Sequence, residues 1–211
     1  MDINSYDKFC SFQYVSRETY EKLEIFNETL TKWQKSINLV SNSSLKHIWT
    51  RHFLDSAQLY NFTKDIQGNI LDMGSGAGFP GVILAMMGNE NINVVESDQR
   101  KCTFMREVAR LTNINLEIHN CRIEELQFVN PDLIVSRALA PLKKLIEYVE
   151  NHFYKNKLNP KKIPTMLFLK GKLYNEELNE LKKIRKFEFK LYPSMTDEYG
   201  KIIFINNLVM S

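Results

Sequence analysis

The chain has 211 residues, is 44% hydrophobic and carries a formal net charge of +3. That length allows one large domain with an appendage, or two small ones. It holds no run of about 18 apolar residues for a membrane span, and Cys10, Cys102 and Cys121 lack metal-ligand spacing, so no membrane and no metal are expected and the thiols read as reduced, in a cytoplasmic protein.

The opening Met1-Asp2-Ile3-Asn4-Ser5 lacks the basic-then-apolar pattern of a signal peptide. Residues 5–60 read as helical. Leu23, Phe26, Leu30, Trp33 and Ile37 recur at three- and four-residue steps and mark one apolar helix face. A polar break over 38–44 separates this helix from a second, which Ser44 caps and which runs to about Tyr60. Gly68 then announces a change of period. Strands are predicted over 69–73, 92–96, 116–120, 133–136 and 165–169. Helices are predicted after Pro80 and over 99–111, 141–152 and 174–186, with a loop over 156–164. Two closing strands, 187–192 and 201–208, flank a polar turn at 196–200. This alternation predicts an α/β fold, a doubly wound and mostly parallel sheet with an antiparallel edge strand. A small helical cap over 1–64 precedes a main domain over 65–211. Nothing in the pattern demands a dimer, so a monomer is expected.

Residues 71–81, Leu-Asp-Met-Gly-Ser-Gly-Ala-Gly-Phe-Pro-Gly, are the most informative stretch. Gly74, Gly76 and Gly78 follow an acid, Asp72, at the end of an apolar run. Glycine lets the backbone turn sharply and approach a ligand closely. Strand, glycine turn and helix together form the nucleotide entry of a doubly wound sheet. Glu96 ends the second strand 20 residues after Gly76, where a carboxylate accepts hydrogen bonds from ribose hydroxyls. Both a dinucleotide and S-adenosylmethionine carry such a ribose, and residues 76–81 also fit G-x-G-x-x-G, so an NAD-linked oxidoreductase is a competing reading. Asp72 argues against it, because a carboxylate there repels a pyrophosphate and suits an ammonium and a sulfonium.

Further along, Arg122-Ile123-Glu124-Glu125 follows the third strand, beside the expected adenine; a solvated turn is the bland alternative. The fourth strand ends Ser136-Arg137-Ala138, which aims Arg137 into the cleft beyond the strand ends. Its planar fork suits a carboxylate or a phosphate. Residues 143–190 hold 13 Lys/Arg and 6 Asp/Glu, a balance of +7, against −4 for the rest. A polyanion partner or a solvated lysine surface both account for this.

These residues, with Asn38-Leu39, Arg51-His52-Phe53-Leu54-Asp55-Ser56, Gly78-Phe79-Pro80-Gly81, Glu96-Ser97 and Leu169-Lys170-Gly171, give a chain that resembles the bacterial 16S rRNA (guanine-N7) methyltransferase family (glucose-inhibited division protein B) over nearly its whole length. Phe79 stands where leucine is frequent and Glu96 where aspartate also occurs. The resemblance implies a Rossmann-like sheet, S-adenosylmethionine as cofactor and methyl donor, and a guanine in the 530 loop of 16S rRNA, free or in a small-subunit particle, as acceptor. A methyltransferase with another substrate is the alternative within this chemistry. By position, Gly74, Phe79, Ile123, Glu124 and Arg137 become cofactor contacts, beside Asp72, Gly76, Gly78 and Glu96. Guanine N7 offers a lone pair and carries no proton. No general base is therefore required, and Arg137 is expected to orient donor or RNA. Lys170 and Lys172, beyond the fifth strand, are the leading RNA contacts, with Arg51 and His52 next. A local brace between His52 and Asp55 is the alternative for that pair. Lys182, Lys183 and Lys186 read as a solvated helix end, and Trp33 and Trp49 as core.

Overall fold

Capping and an apolar stripe start the fold. In the computed structural model, which describes residues 3–127, 129–159 and 163–210, α1 is Tyr6–Cys10 and α2 is Arg17–Trp33. The Ser16 side chain accepts from the Thr19 N–H and so caps α2. Leu23, Phe26 and Leu30 bury one face of that helix. Met1 and Asp2 of the signal-peptide reading, and residues 160–162 of the predicted 156–164 loop, lie outside the described residues.

The single helix predicted over 44–60 is four short pieces. Ser41 caps α3, Asn42–Leu45; a π-helical turn, Trp49–Leu54, runs straight into α4, Asp55–Ala57; α5 is Tyr60–Thr63. An apolar period does not register the wider π turn, which is common at functional sites.

The sheet has seven strands: β1 Ile70–Met73, β2 Ile92–Val95, β3 Glu117–His119, β4 Leu133–Arg137, β5 Thr165–Lys170, β6 Glu188–Pro193 and β7 Lys201–Asn206. Their order is β3-β2-β1-β4-β5-β7-β6. Strands β1 to β5 pair in parallel, while β7 runs antiparallel between β5 and the edge strand β6. The chain reverses direction across the sheet between β1 and β4, and the crevice at such a switch point is where open α/β sheets bind ligands.

Both faces are covered, so every residue of β1 and β2 is buried. On one face α2 packs with α6, Gly81–Met86, and α7, Gln99–Thr112, through Phe26, Val82, Phe104 and Val108. On the other, α8, Leu142–Lys155, and α9, Tyr174–Lys182, bury Leu145, Val149, Leu178 and Leu181. Phe26 lies 5.2 Å from Phe79, 5.3 Å from Phe53 and 5.8 Å from Phe104 between ring centroids. The N-terminal helices and the glycine turn therefore share one core. No helix among the described residues is long and apolar enough to cross a membrane, and no His/Cys/Asp/Glu group among them could hold a metal ion.

Candidate functional site

The turn after β1 is built around Asp72. Its Oδ2 accepts from Ser75 Oγ at 2.6 Å and from the Gly81 N–H at 2.8 Å, so one carboxylate oxygen ties both ends of the turn. Oδ1 is buried and has no hydrogen-bond partner among the described residues. Burial pushes Asp72 up to about 6, opposed by the hydrogen bonds from Ser75 and Gly81 and by the charge of Arg137. Between these ties Gly74, Gly76 and Gly78 have φ of 70°, 60° and 100°, which side chains rarely adopt. At Gly76 a Cβ would meet open space. Glycine there keeps a clear approach for a ligand.

Glu96 reaches across from β2. Its Oε2 accepts from the Gly76 N–H at 3.0 Å and its Oε1 from the Asp98 N–H at 2.7 Å. Each oxygen keeps further acceptor capacity for a hydroxyl. The residues thus fit a nucleoside whose ribose lies on Glu96 and whose chain follows the glycine turn. Ile123–Glu125 forms a 3-10 turn after β3, with Ile123 buried and Glu124 exposed. Lys155 Nζ donates to the Glu124 carbonyl at 2.8 Å and fixes that turn.

Arg137 joins the two halves of the crevice. Its guanidinium lies 5.0 Å from the Phe79 ring centroid. Nη2 meets His52 Nδ1 at 2.7 Å, and Nη1 donates to the Arg51 carbonyl at 2.8 Å and to Asp55 Oδ2 at 3.2 Å. The π turn supplies Arg51 and His52. Arginine keeps its protons, so His52 Nδ1 is the acceptor and the ring proton sits on Nε2, which is buried without a partner among the described residues. Burial, with the charges of Arg137 and Arg51, holds His52 down to about 3. Asp55 Oδ1 also accepts from Thr196 Oγ1 at 2.6 Å, which ties the network to the turn between β6 and β7.

Beyond Arg137 opens a pocket of about 430 Å³, lined among others by Arg51, Asp55, Arg137, Lys170, Lys172 and Lys201. Arg51 and Lys172 are exposed. The Lys170 ammonium is not: it pairs with Glu177 Oε2 at 2.7 Å and donates to the Ala140 carbonyl at 2.8 Å. The structure thus brings the three glycines, Glu96 and Arg137 to one crevice, with Asp72 and the Phe79 ring buried behind its turn. It sets Arg51 and Lys172 at the pocket and encloses His52 and Lys170. Sequence reasoning passed over Ser75, Thr196 and Glu177. Only Ser75, inside the glycine turn, carried a local signal, a hydroxyl three residues from the acid.

Residues 19–198 match the family described as rRNA small subunit methyltransferase G. The "Ribosomal RNA small subunit methyltransferase G" of Paramagnetospirillum magneticum is 40% identical over 194 residues, 92% of this chain and 91% of that protein. Its namesake in Rickettsia felis is 38% identical over 194 residues, 92% and 96% of the two chains. Among solved structures, magnesium protoporphyrin IX methyltransferase from Synechocystis PCC 6803 with bound S-adenosylmethionine superposes with a TM-score of 0.59 at 12% identity, covering 94% of this chain and 100% of that one. A MtNAS variant in complex with S-adenosylmethionine gives a TM-score of 0.59 at 11% identity, covering 98% and 84%. At such identities the likeness is one of fold.

Proposed function

The chain belongs to the rRNA small subunit methyltransferase G family, and from that premise we propose that it methylates N7 of a guanine in the 530 loop of 16S rRNA, with S-adenosylmethionine as donor. The observation that carries this reading is the place of Arg137, stacked on Phe79 of the glycine turn and lining the cationic pocket next to it. One side chain thus borders both the cofactor crevice and a space large enough for a base.

S-adenosylmethionine supplies an electrophilic methyl carbon. Glu96 would hold its ribose hydroxyls, Ile123 and Glu124 the adenine edge, and Gly74, Gly76, Gly78 and Phe79 the methionine end. Asp72 holds that turn in shape, and its carboxylate beneath the turn would favour the positive end of the donor. Guanine N7 has a lone pair and no proton, so these residues need not move a proton. Their task is alignment and exclusion of water. Arg137 orients the reactants.

The N7 edge lies in the deep groove of A-form RNA, which side chains cannot read, so the guanine is taken from a loop or splayed out. Lys172 and Arg51 hold phosphates at the pocket mouth. The helices over 1–64 serve as a cap on the methyltransferase domain over 65–211, through the shared Phe26–Phe79 core, and the protein works as a cytoplasmic monomer.

The test is strand scission specific for 7-methylguanosine on 16S rRNA from cells lacking the gene and from cells complemented with it. A stop in the 530 loop only in complemented cells is expected. A complemented strain without that stop rules the acceptor out. Binding of S-adenosylhomocysteine but not NADH tests the donor separately.

A further inference from the structure

We propose that Lys170 and Glu177 are positioning residues for methyl transfer, a clamp that fixes the 138–142 segment over the cofactor turn, and that Lys170 is not an RNA contact. The inference rests on the donor reading above.

The segment leaves β4 with its start anchored. Ser136 Oγ donates to the Met73 carbonyl at 2.8 Å, and Arg137 is held by His52, Asp55 and the Arg51 carbonyl. Its far end is anchored by the clamp. Glu177 Oε2 accepts from the Leu142 N–H at 2.6 Å, at the first turn of α8, and from Lys170 Nζ at 2.7 Å. Lys170 Nζ donates in turn to the Ala140 carbonyl at 2.8 Å. The two side chains are only 9% and 20% exposed.

Between these anchors the backbone takes a path it would not choose alone. Ala138 has φ of 55°, a left-handed conformation unusual for a residue with a side chain. Such conformations persist only where their surroundings over-determine them. Leu139 then lies against Gly74, so closely that a methyl group on Gly74 would collide with it. The clamp thus decides where Leu139 sits on the turn and where the chain leaves Arg137.

The charge pattern separates this role from phosphate binding. A lysine that neutralises phosphate is normally exposed, and a carboxylate 2.7 Å away opposes its task. Removing Glu177 should then improve RNA binding. In a clamp, removing Glu177 and removing Lys170 do the same damage, because each leaves the other's charge enclosed and unpaired.

The experiment uses the full chain with Lys170→Met, Glu177→Ala and the double variant. It measures amide exchange over 138–145 without ligand, S-adenosylhomocysteine binding, KM for donor and RNA, and the salt dependence of rRNA binding. Both single variants are expected to speed exchange over 138–145 and to weaken S-adenosylhomocysteine about tenfold. The double variant should be no worse than the worse single one. Donor KM rises while RNA KM and the salt slope stay at wild-type values, and Lys170→Arg, which keeps the donors, restores most of the binding. If Glu177→Ala fails to fold, Glu177→Gln is read in its place. Tighter RNA binding by Glu177→Ala with unchanged exchange, and a salt slope reduced by about one in Lys170→Met, would overturn the clamp. A wild-type protein that bound no S-adenosylhomocysteine would overturn the donor reading instead, and amide exchange alone would then decide the clamp.

Discussion

Arg137 donates from Nη2 to His52 Nδ1 at 2.7 Å, an arginine resting on a neutral histidine. The pairing works because burial and two nearby guanidiniums hold His52 down to about 3, so the imidazole stays an acceptor throughout the physiological range. The ring also lies 4.9 Å from Phe79. Arg137, His52 and the glycine turn therefore form one packed unit.

Loss of Arg137 should be felt in both halves of the crevice. Arg137→Ala is expected to weaken S-adenosylhomocysteine binding and to lower kcat/KM by about 100-fold, the value of two charge-assisted hydrogen bonds. Isothermal titration and single-turnover methyl transfer check this. Full affinity with full turnover would remove Arg137 from the site.

The pH dependence of stability follows from His52. An unfolded chain takes up this proton near 6.5 and the folded chain only near 3. Between those values the unfolded state holds more protons, so acidification favours unfolding. The contribution of His52 is complete above about 6.5 and is lost as the pH falls toward 3. Asp72, raised from 3.8 to about 6, acts in the opposite sense, with a contribution complete below 3.8 and lost as the pH rises through 6. His52→Gln keeps an acceptor for Arg137 and removes the titration. Urea unfolding at about pH 7 and about pH 5 should show a smaller loss for the variant than for wild type; Asp72 is common to both and drops out.

Two glycines of one turn should behave differently. A Cβ at Gly76 meets open space, whereas at Gly78 it collides with Val82. Gly76→Ala is expected to fold, at a cost of about 1 kcal/mol for its φ of 60°, and to lose donor affinity by at least about tenfold. Gly78→Ala should lower the melting temperature more than Gly76→Ala does. Thermal melts and S-adenosylhomocysteine titration of both variants check the contrast.

Phe26 is fully buried among Phe53, Phe79 and Phe104. Phe26→Ala should cost about 3–5 kcal/mol of stability by opening a cavity there. It should also weaken donor binding, since Phe79 belongs to the turn, as calorimetry and titration would show.

Much of this arrangement was legible in the sequence because its signals are local. The glycine turn, the acid before it and Glu96 lie within one strand–helix–strand unit, and Gly76 N–H to Glu96 is a contact across 20 residues. The parallel sheet followed from alternation of period. The partners of Arg137 did not, because they lie 82 to 86 residues away, on a π turn that an apolar period cannot reveal and on the residue that follows it. Lys170 shows the same limit. Its place just after the predicted strand 165–169 suggested an exposed cation; it is instead the last residue of β5, and its enclosure depends on Glu177 from α9 and on the Ala140 carbonyl before α8.

The most direct measurement is transfer of labelled methyl from S-adenosylmethionine to small-subunit particles from cells lacking the enzyme, followed by nucleoside analysis. The expected result is label in 7-methylguanosine, confined to the 530 loop of 16S rRNA. Label in any other nucleoside, or no label from a protein that binds S-adenosylhomocysteine, would contradict it.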